Sequence, residues 1–169
     1  MIKAEIYNYS THQMLDEVFA FPMSEDKINK TLQLGEVMVE SNERTVGFSL
    51  SEFNEMATKI EEAGLTDEDV NILEKTYLFS EIAENAENAL IINFNEEVSA
   101  LGWSNMNFFN DEDKGRLLYG LGYASFPVNI PEELEDYMDY GRLWRDIEVN
   151  DGMRTVITPS GCYIVSLGL

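Results

Sequence analysis

Along the first fifty residues the hydrophobic pattern has the short period of strands, with one helical interruption. Residues 2–9 alternate and 18–22 form a second apolar run, which predicts two strands joined by the polar loop Ser10-Thr11-His12-Gln13, with Pro22 ending the second. Ser24 followed by Glu25 and Asp26 is a helix start and predicts a short helix to about Leu34. Residues 36–40 and 44–50 read as further strand material around the turn Ser41-Asn42-Glu43. The period then changes. Ser51 caps a predicted helix in which Phe53, Met56, Ile60 and Ala63 recur at helical spacing, and Gly64 stops it. Thr66 before Asp67, Glu68 and Asp69 starts the next helix, with Val70, Leu73, Tyr77 and Leu78 as its apolar stripe. Ser80 starts a third, through about Ala89, enclosing Ile82, Ala83 and Ala86.

Residues 89–94 are a strand candidate, and 102–110 form an irregular stretch rich in Asn and aromatic residues. Asp111-Glu112-Asp113 starts a helix to about Leu121. Pro131, at a first helical position, starts another that runs with a break near Gly141 to about Ile147. Residues 153–158, the turn Pro159-Ser160-Gly161 and residues 162–167 read as a closing hairpin. The expected fold class is α+β: three small units in a row, giving an elongated molecule. These are an N-terminal α+β unit (1–50), a central acidic helical unit (51–88) and a C-terminal α+β unit (89–169). Neither an internal repeat nor a low-complexity linker is visible.

Charge changes the picture most. The chain carries 32 Asp plus Glu against 11 Lys plus Arg, a formal charge of −21 on 169 residues. Acidic disordered tails are poor in aromatics, whereas this chain has 2 Trp, 8 Tyr and 9 Phe and the means to build cores. Like charge on a folded protein costs stability through self-repulsion, so it invites a reason. One reason is solubility, with a solvated acidic surface. The sharper one is a surface that meets a polyanion-binding partner. Residues 60–113 hold fourteen acids and one base, Lys75, and no base lies between Arg116 and Arg142. With no basic patch to hold phosphates, direct nucleic-acid or anionic-membrane binding is not expected. Nor is a membrane span, since no stretch of eighteen apolar residues exists. The N-terminus lacks a signal peptide's apolar core, and the single cysteine, Cys162, sits in an apolar strand-like run, so the expected location is cytoplasmic.

Motifs for chemistry are thin. Asp67-x-Asp69-x-Asn71 matches the start of a calcium loop, but the sixth position is Ile72 and the twelfth Leu78. Asp111-x-Asp113 fails sooner, and both groups read as acids at helix N-termini. Gly120-x-Gly122 lacks the third glycine of a phosphate loop. His12 is the only histidine and lies in a polar loop, and no His/Cys cluster suits zinc. A carboxylate pair for glycoside hydrolysis is unselective among 32 acids. No enzyme, cofactor or metal site is expected.

The acids themselves have a geometry. On one helix Glu81, Glu84 and Glu87 would rise about 4.5 Å per step, against about 3.4 Å per phosphate along one DNA strand. A helix so spaced, with Glu61, Glu62, Asp67, Glu68 and Asp69 nearby, presents carboxylates at a density a DNA-binding groove would accept.

The segment Pro131-Glu-Glu-Leu134-Glu-Asp-Tyr137-Met-Asp139-Tyr140, then four residues, then Arg145-Asp146-Ile147-Glu148, resembles the C-terminal signature of the ArdA antirestriction proteins: Pro-x-x-Leu-x-x-Tyr-x-Asp-Tyr, four residues, Arg-Asp and an aliphatic. The register holds without a gap, and a hairpin through Gly161 follows. The chain departs from the family at Trp144, where glycine is usual, and over 10–15, where a glycine-rich loop is usual, so the resemblance is to a divergent member. It implies an elongated, dimeric, non-enzymatic mimic of B-form DNA, carried by conjugative elements, that occupies the DNA-binding groove of type I restriction-modification enzymes. The phosphate-mimicking acids would be Glu61, Glu62, Asp67, Glu68, Asp69, Glu74, Glu81, Glu84, Glu87, Asp111, Glu112, Asp113, Glu132, Glu133, Glu135 and Asp136. The alternatives are a mimic aimed at another defence nuclease such as a CRISPR effector, or an acidic adaptor that binds through apolar patches around Trp103 and Phe108-Phe109. A packing role is also open for Leu134, Tyr137, Met138 and Trp144, with Arg145 and Asp146 bracing the last unit.

Overall fold

Strand β1 (Ile2–Asn8) buries Ile2, Ala4, Ile6 and Asn8 and turns Lys3 outward, the alternation a one-sided sheet requires. The computed structural model in which it lies describes residues 1–40, 47–123 and 130–168, with the side chain of Glu132 also outside the description. The fold is mixed α+β with antiparallel sheets, and the chain divides into two compact units, Met1–Ala89 and Leu90–Leu169.

In the first unit β1 is the central strand. Its N-terminal half pairs antiparallel with β3 (Phe19–Phe21), and its C-terminal half with β2 (Gln13–Met14) and β4 (Val37–Glu40). β5 (Phe48–Ser49) extends the sheet from β4. The expected polar loop after β1 is pulled tight by Asn8. Its Oδ1 accepts from the backbone N–H of Ser10 and Thr11, and its Nδ2 donates to the Leu34 carbonyl. Helix α1 (Glu25–Leu32) starts at the expected cap, Ser24. The expected turn at Ser41-Asn42-Glu43 lies outside the described residues.

Helix α2 (Leu50–Glu62) is capped two residues earlier than expected. Ser49 at the end of β5 is the N-cap: its hydroxyl accepts from Glu52 N–H, and Glu52 Oε2 accepts from Ser49 N–H, a reciprocal box that leaves Ser51 in the first turn. Helix α3 (Asp67–Leu73) is capped as expected by Thr66 but ends early, so Tyr77 is only half-buried and Leu78 is 62% exposed. The third expected helix is shorter too. Helix α4 (Phe79–Glu84) stops at Asn85, whose backbone leaves the helical region (φ −119°), and a 3-10 turn, Ala86–Asn88, follows.

The expected boundary after residue 50 does not separate compact units. Phe21 of β3 meets Phe53 of α2 edge-on at 4.7 Å, and Phe53 stacks on Phe79 of α4 at 4.6 Å. Lys3 N–H also donates to Asp67 at the start of α3. A sheet with one apolar face must be covered by another element, and the helices of 51–88 supply that cover. The boundary expected near residue 88 coincides with the division at Ala89/Leu90.

In the second unit β6 (Leu90–Asn93) and β7 (Arg154–Thr158) flank β8 (Gly161–Ser166), the last two forming the expected hairpin. Cys162 sits half-buried on β8. With this sheet pack α5 (Phe94–Ala100), α6 (Asp111–Gly120) and α8 (Tyr140–Asn150), around a core of Ile92, Phe94, Leu117, Leu118, Trp144, Ile147 and Ile164; the short α7 (Glu132–Glu135) precedes α8. α5 was not expected; its signal is Asn93, whose side chain accepts from Glu96 N–H. Pro131 is the N-cap of α7 rather than its first helical residue, and the expected break before residue 147 is a separate start, with Asp139 capping α8. The stretch 102–110 is largely absorbed by the core: Trp103 and Met106 are half-buried against it, Phe108 is buried, and Phe109 alone of its aromatic side chains is mainly exposed, at 74%. Among the described residues no helix is long and apolar enough to cross a membrane.

Candidate functional site

The acids expected to meet a partner fall into two kinds. Some are held by the fold. Asp67 Oδ1 accepts from Lys3 N–H at 3.0 Å. Asp69 Oδ2 accepts from both the backbone N–H and the hydroxyl of Thr66 at 2.7 Å, closing the box that starts α3. Glu81 Oε2 accepts from Leu78 N–H at 2.7 Å and so holds the start of α4, where the capping residue has no polar side chain to reciprocate. Glu74, the C-cap of α3, is half-buried. Others stand in solvent: Glu61, Glu62, Glu68, Glu84 and Glu87 are all exposed.

The regular ladder expected of Glu81, Glu84 and Glu87 is not present. Glu81 bends back to cap its helix, Glu84 is the last helical residue and Glu87 belongs to the 3-10 turn. Instead Glu84 and Glu87 join Glu62 of α2 around a groove of about 310 Å³ that also takes in Lys59.

In the second unit Asp111, Glu112 and Asp113 form the first turn of α6, with Asn110 as cap. Asp111 is neutralised by Lys114 at 2.9 Å and lies 3.8 Å from Arg145. Lys114 is itself buried, its ammonium 4.5 Å from the centre of the Trp144 ring. Glu112 Oε2 accepts from Gly141 N–H at 2.8 Å, and Asp113 Oδ2 from Asn107 N–H at 2.8 Å. These bonds use one oxygen of each carboxylate. Glu133 and Asp136 are exposed, Glu135 is half-buried, and the side chain of Glu132 lies outside the described residues.

Folding brings two of these groups together. Glu112 and Asp113 from α6 and Glu135 and Asp136 from the end of α7 line one groove of about 210 Å³, with Arg116, Met138 and Tyr140. Neither Arg116 nor Tyr140 was expected at an acidic surface. Arg116 sits amid the acids with its guanidinium 5.5 Å from the centre of the Trp103 ring. Tyr140 is 6% exposed. Burial pushes its phenol above the ordinary value, Glu135, Tyr119 and Glu112 push the same way, and Arg116 opposes them. Tyr140 stood in sequence as part of the family-like segment. Its place beside Glu112, Asp113 and Arg116 had no local signal, because the groove joins two separate stretches of the chain.

That segment divides on packing. Trp144 is fully buried, Met138 is half-buried, and Leu134 and Tyr137 are 52% and 84% exposed, so these last two do not pack the unit. Arg145 reaches Asp111 on α6, while among the described residues Asp146 pairs only within its own helix, with Arg142 at 3.8 Å.

The arrangement can present fixed, solvent-exposed carboxylates to a cationic surface. Among known proteins, no family model matches the chain and no curated protein matches it.

Proposed function

We propose that this protein is a non-enzymatic DNA mimic that occupies the DNA-binding groove of a type I restriction-modification enzyme. One observation carries the reading. Among the described residues no cation lies within ion-pair distance of Glu61, Glu62, Glu68, Glu84, Glu87, Glu133 or Asp136. Both units thus keep exposed acid unneutralised, in a chain whose net charge is −21. Such charge is costly to the folded state, and a groove of Lys and Arg built for phosphates is the partner that repays it. The resemblance of residues 131–148 to the ArdA signature narrows the target to type I enzymes. The adaptor alternative loses two of its three aromatic residues, since Phe108 is buried and Trp103 packs half-buried on the core.

In cells carrying a type I system, expression of the protein should raise the transformation efficiency of unmodified plasmid toward that of modified plasmid. Unrelieved restriction, with the protein present and folded, across several type I subfamilies would overturn the assignment. Relief only in cells with a CRISPR effector would move the mimicry to that target.

The proposed working form is a homodimer. Phe109, Leu134 and Tyr137 of the second unit are exposed aromatic and aliphatic groups available for a self-contact. Acids around that contact repel one another, so association should strengthen with salt while target binding weakens. Light scattering at low and high ionic strength checks this, and a monomer at every salt concentration would contradict it.

A further inference from the structure

We propose that the outer edge of β7 (Arg154–Thr158) is where a second copy of this chain docks, its own β7 running antiparallel about a two-fold axis at Val156, so that the two three-stranded sheets join into one. The inference rests on the homodimer proposed above for its occupant and names the contact; it does not depend on the target enzyme. β8 lies between β6 and β7, so among the described residues β7 has a strand on one side only. The turn fixes which backbone groups are left over. Thr158 and Gly161 pair across a two-residue loop, which makes Thr158, Val156 and Arg154 the residues that bond to β8. The N–H and C=O of Thr155 and Ile157 therefore point away from β8, and among the described residues no turn or loop bond uses them. Their side chains are exposed as well, Ile157 at 57%.

An open edge is a template for another strand, and folded monomers blunt it with proline, lysine, a bulge or a very short strand. β7 has none of these. Its five residues pair with β8 one to one, and all but Arg154 are β-branched. Charge selects the occupant. Two copies of a chain at −21 repel, so they meet where like charge is least. Residues 152–168 contain no acid and one base, Arg154, so the edge offers a basic target surface nothing and a second copy little repulsion. The other edges compare poorly: β2 and β5 have two residues each, β3 has three, and β6 runs between Glu87 and the Glu96-Glu97 pair. The exposed Leu134 and Tyr137 belong to a stretch, 131–140, that holds five acids. With Val156 on the axis, Thr155 of each copy exchanges both backbone bonds with the partner subunit's Ile157, and the two side chains cover one another. Arg154 then faces the partner subunit's Thr158 rather than a second arginine.

The test is amide hydrogen exchange on the isotope-labelled full chain, dilute and concentrated, at high salt where repulsion between copies is screened, with light scattering on the same samples. In the dilute sample protection should alternate along β7, with Val156 and Thr158 slow and Thr155 and Ile157 fast. In the concentrated sample Thr155 and Ile157 should slow by about tenfold or more as the dimer forms. Thr155→Pro removes an outward N–H and no bond to β8, so it should weaken dimerisation about tenfold with the fold kept. Ile157→Glu puts a carboxylate from each copy into the seam and should weaken it at least as much; it decides the matter should the proline variant fold poorly. A dimer in which Thr155 and Ile157 still exchange fast, or one that survives Ile157→Glu unchanged, overturns the β7 contact and leaves the homodimer to another surface. A monomer at every concentration overturns both. A dimer formed through β7 that displaces no DNA from a type I enzyme keeps the contact and removes the mimicry.

Discussion

Gly115 has no room for a side chain. A Cβ there would run into the Tyr140 carbonyl and lie 3.3 Å from Trp144 N, so α6 and α8 can approach only because this residue lacks one. Two effects compete in Gly115→Ala. Alanine gains about 1 kcal/mol in helix propensity, while overpacking against another element costs about 1–3 kcal/mol. The obstacle is backbone, which cannot rotate away as a side chain can, so overpacking should win. Urea denaturation should show a net loss of about 2 kcal/mol; a variant as stable as the parent would contradict the packing described here. The same contact sets the distance between Glu112 on α6 and Gly141 on α8, whose 2.8 Å bond helps shape one wall of the acidic groove.

Among the elements, the helix starts show how acids serve the fold itself. Glu52 holds the start of α2, and its carboxyl lies below the ordinary range, chiefly through the bond from the Ser49 hydroxyl and then that from Ser49 N–H. A folded-state value below the unfolded one means stability that is present above the unfolded value, near 4.5, and lost as pH falls through the folded value. Ser49→Ala should therefore be less stable than the parent at neutral pH, with the difference narrowing in strong acid. Thermal melts of the pair from pH 7 to pH 2 check this, and a gap independent of pH would contradict it. Starts of this kind were legible in sequence because they are local: Ser24, Thr66 and Asp111-Glu112-Asp113 all mark real helices. Helix ends were less legible. Ile82, Ala83 and Ala86 continue an apolar pattern past Glu84, yet the chain turns at Asn85 with all three still buried, an outcome set by tertiary packing rather than by periodicity. Residue 51 as a helix cap failed for a local reason, since Ser49 has the glutamate three positions on and Ser51 does not. The acidic groove was not legible at all. Its two halves, 112–116 and 135–140, meet only once α6 and α8 pack at Gly115.

For the whole molecule the question is how charge becomes affinity. An exposed ion pair is worth about 1 kcal/mol or less, so a partner held by many of them should tolerate single losses. Glu84→Gln should change inhibition little. Neutralising Glu61, Glu62, Glu68, Glu84 and Glu87 together should weaken it strongly with the fold intact, because none of these acids makes a helix cap. Asp69 and Glu81 do not belong in such a set, since changing them also loosens the starts of α3 and α4. Circular dichroism and inhibition measured side by side check this. Loss of all activity from one exposed acid in a folded protein would point to a localised site instead. The most direct measurement of the central claim is the anisotropy of labelled DNA on a purified type I methyltransferase core, titrated with this protein at several salt concentrations. If the protein mimics DNA, the apparent Kd for DNA rises in proportion to added protein, as for two ligands of one groove, and the protein's own affinity falls steeply with salt. DNA binding undiminished at large excess of protein, at low salt and across several subfamilies, would contradict it.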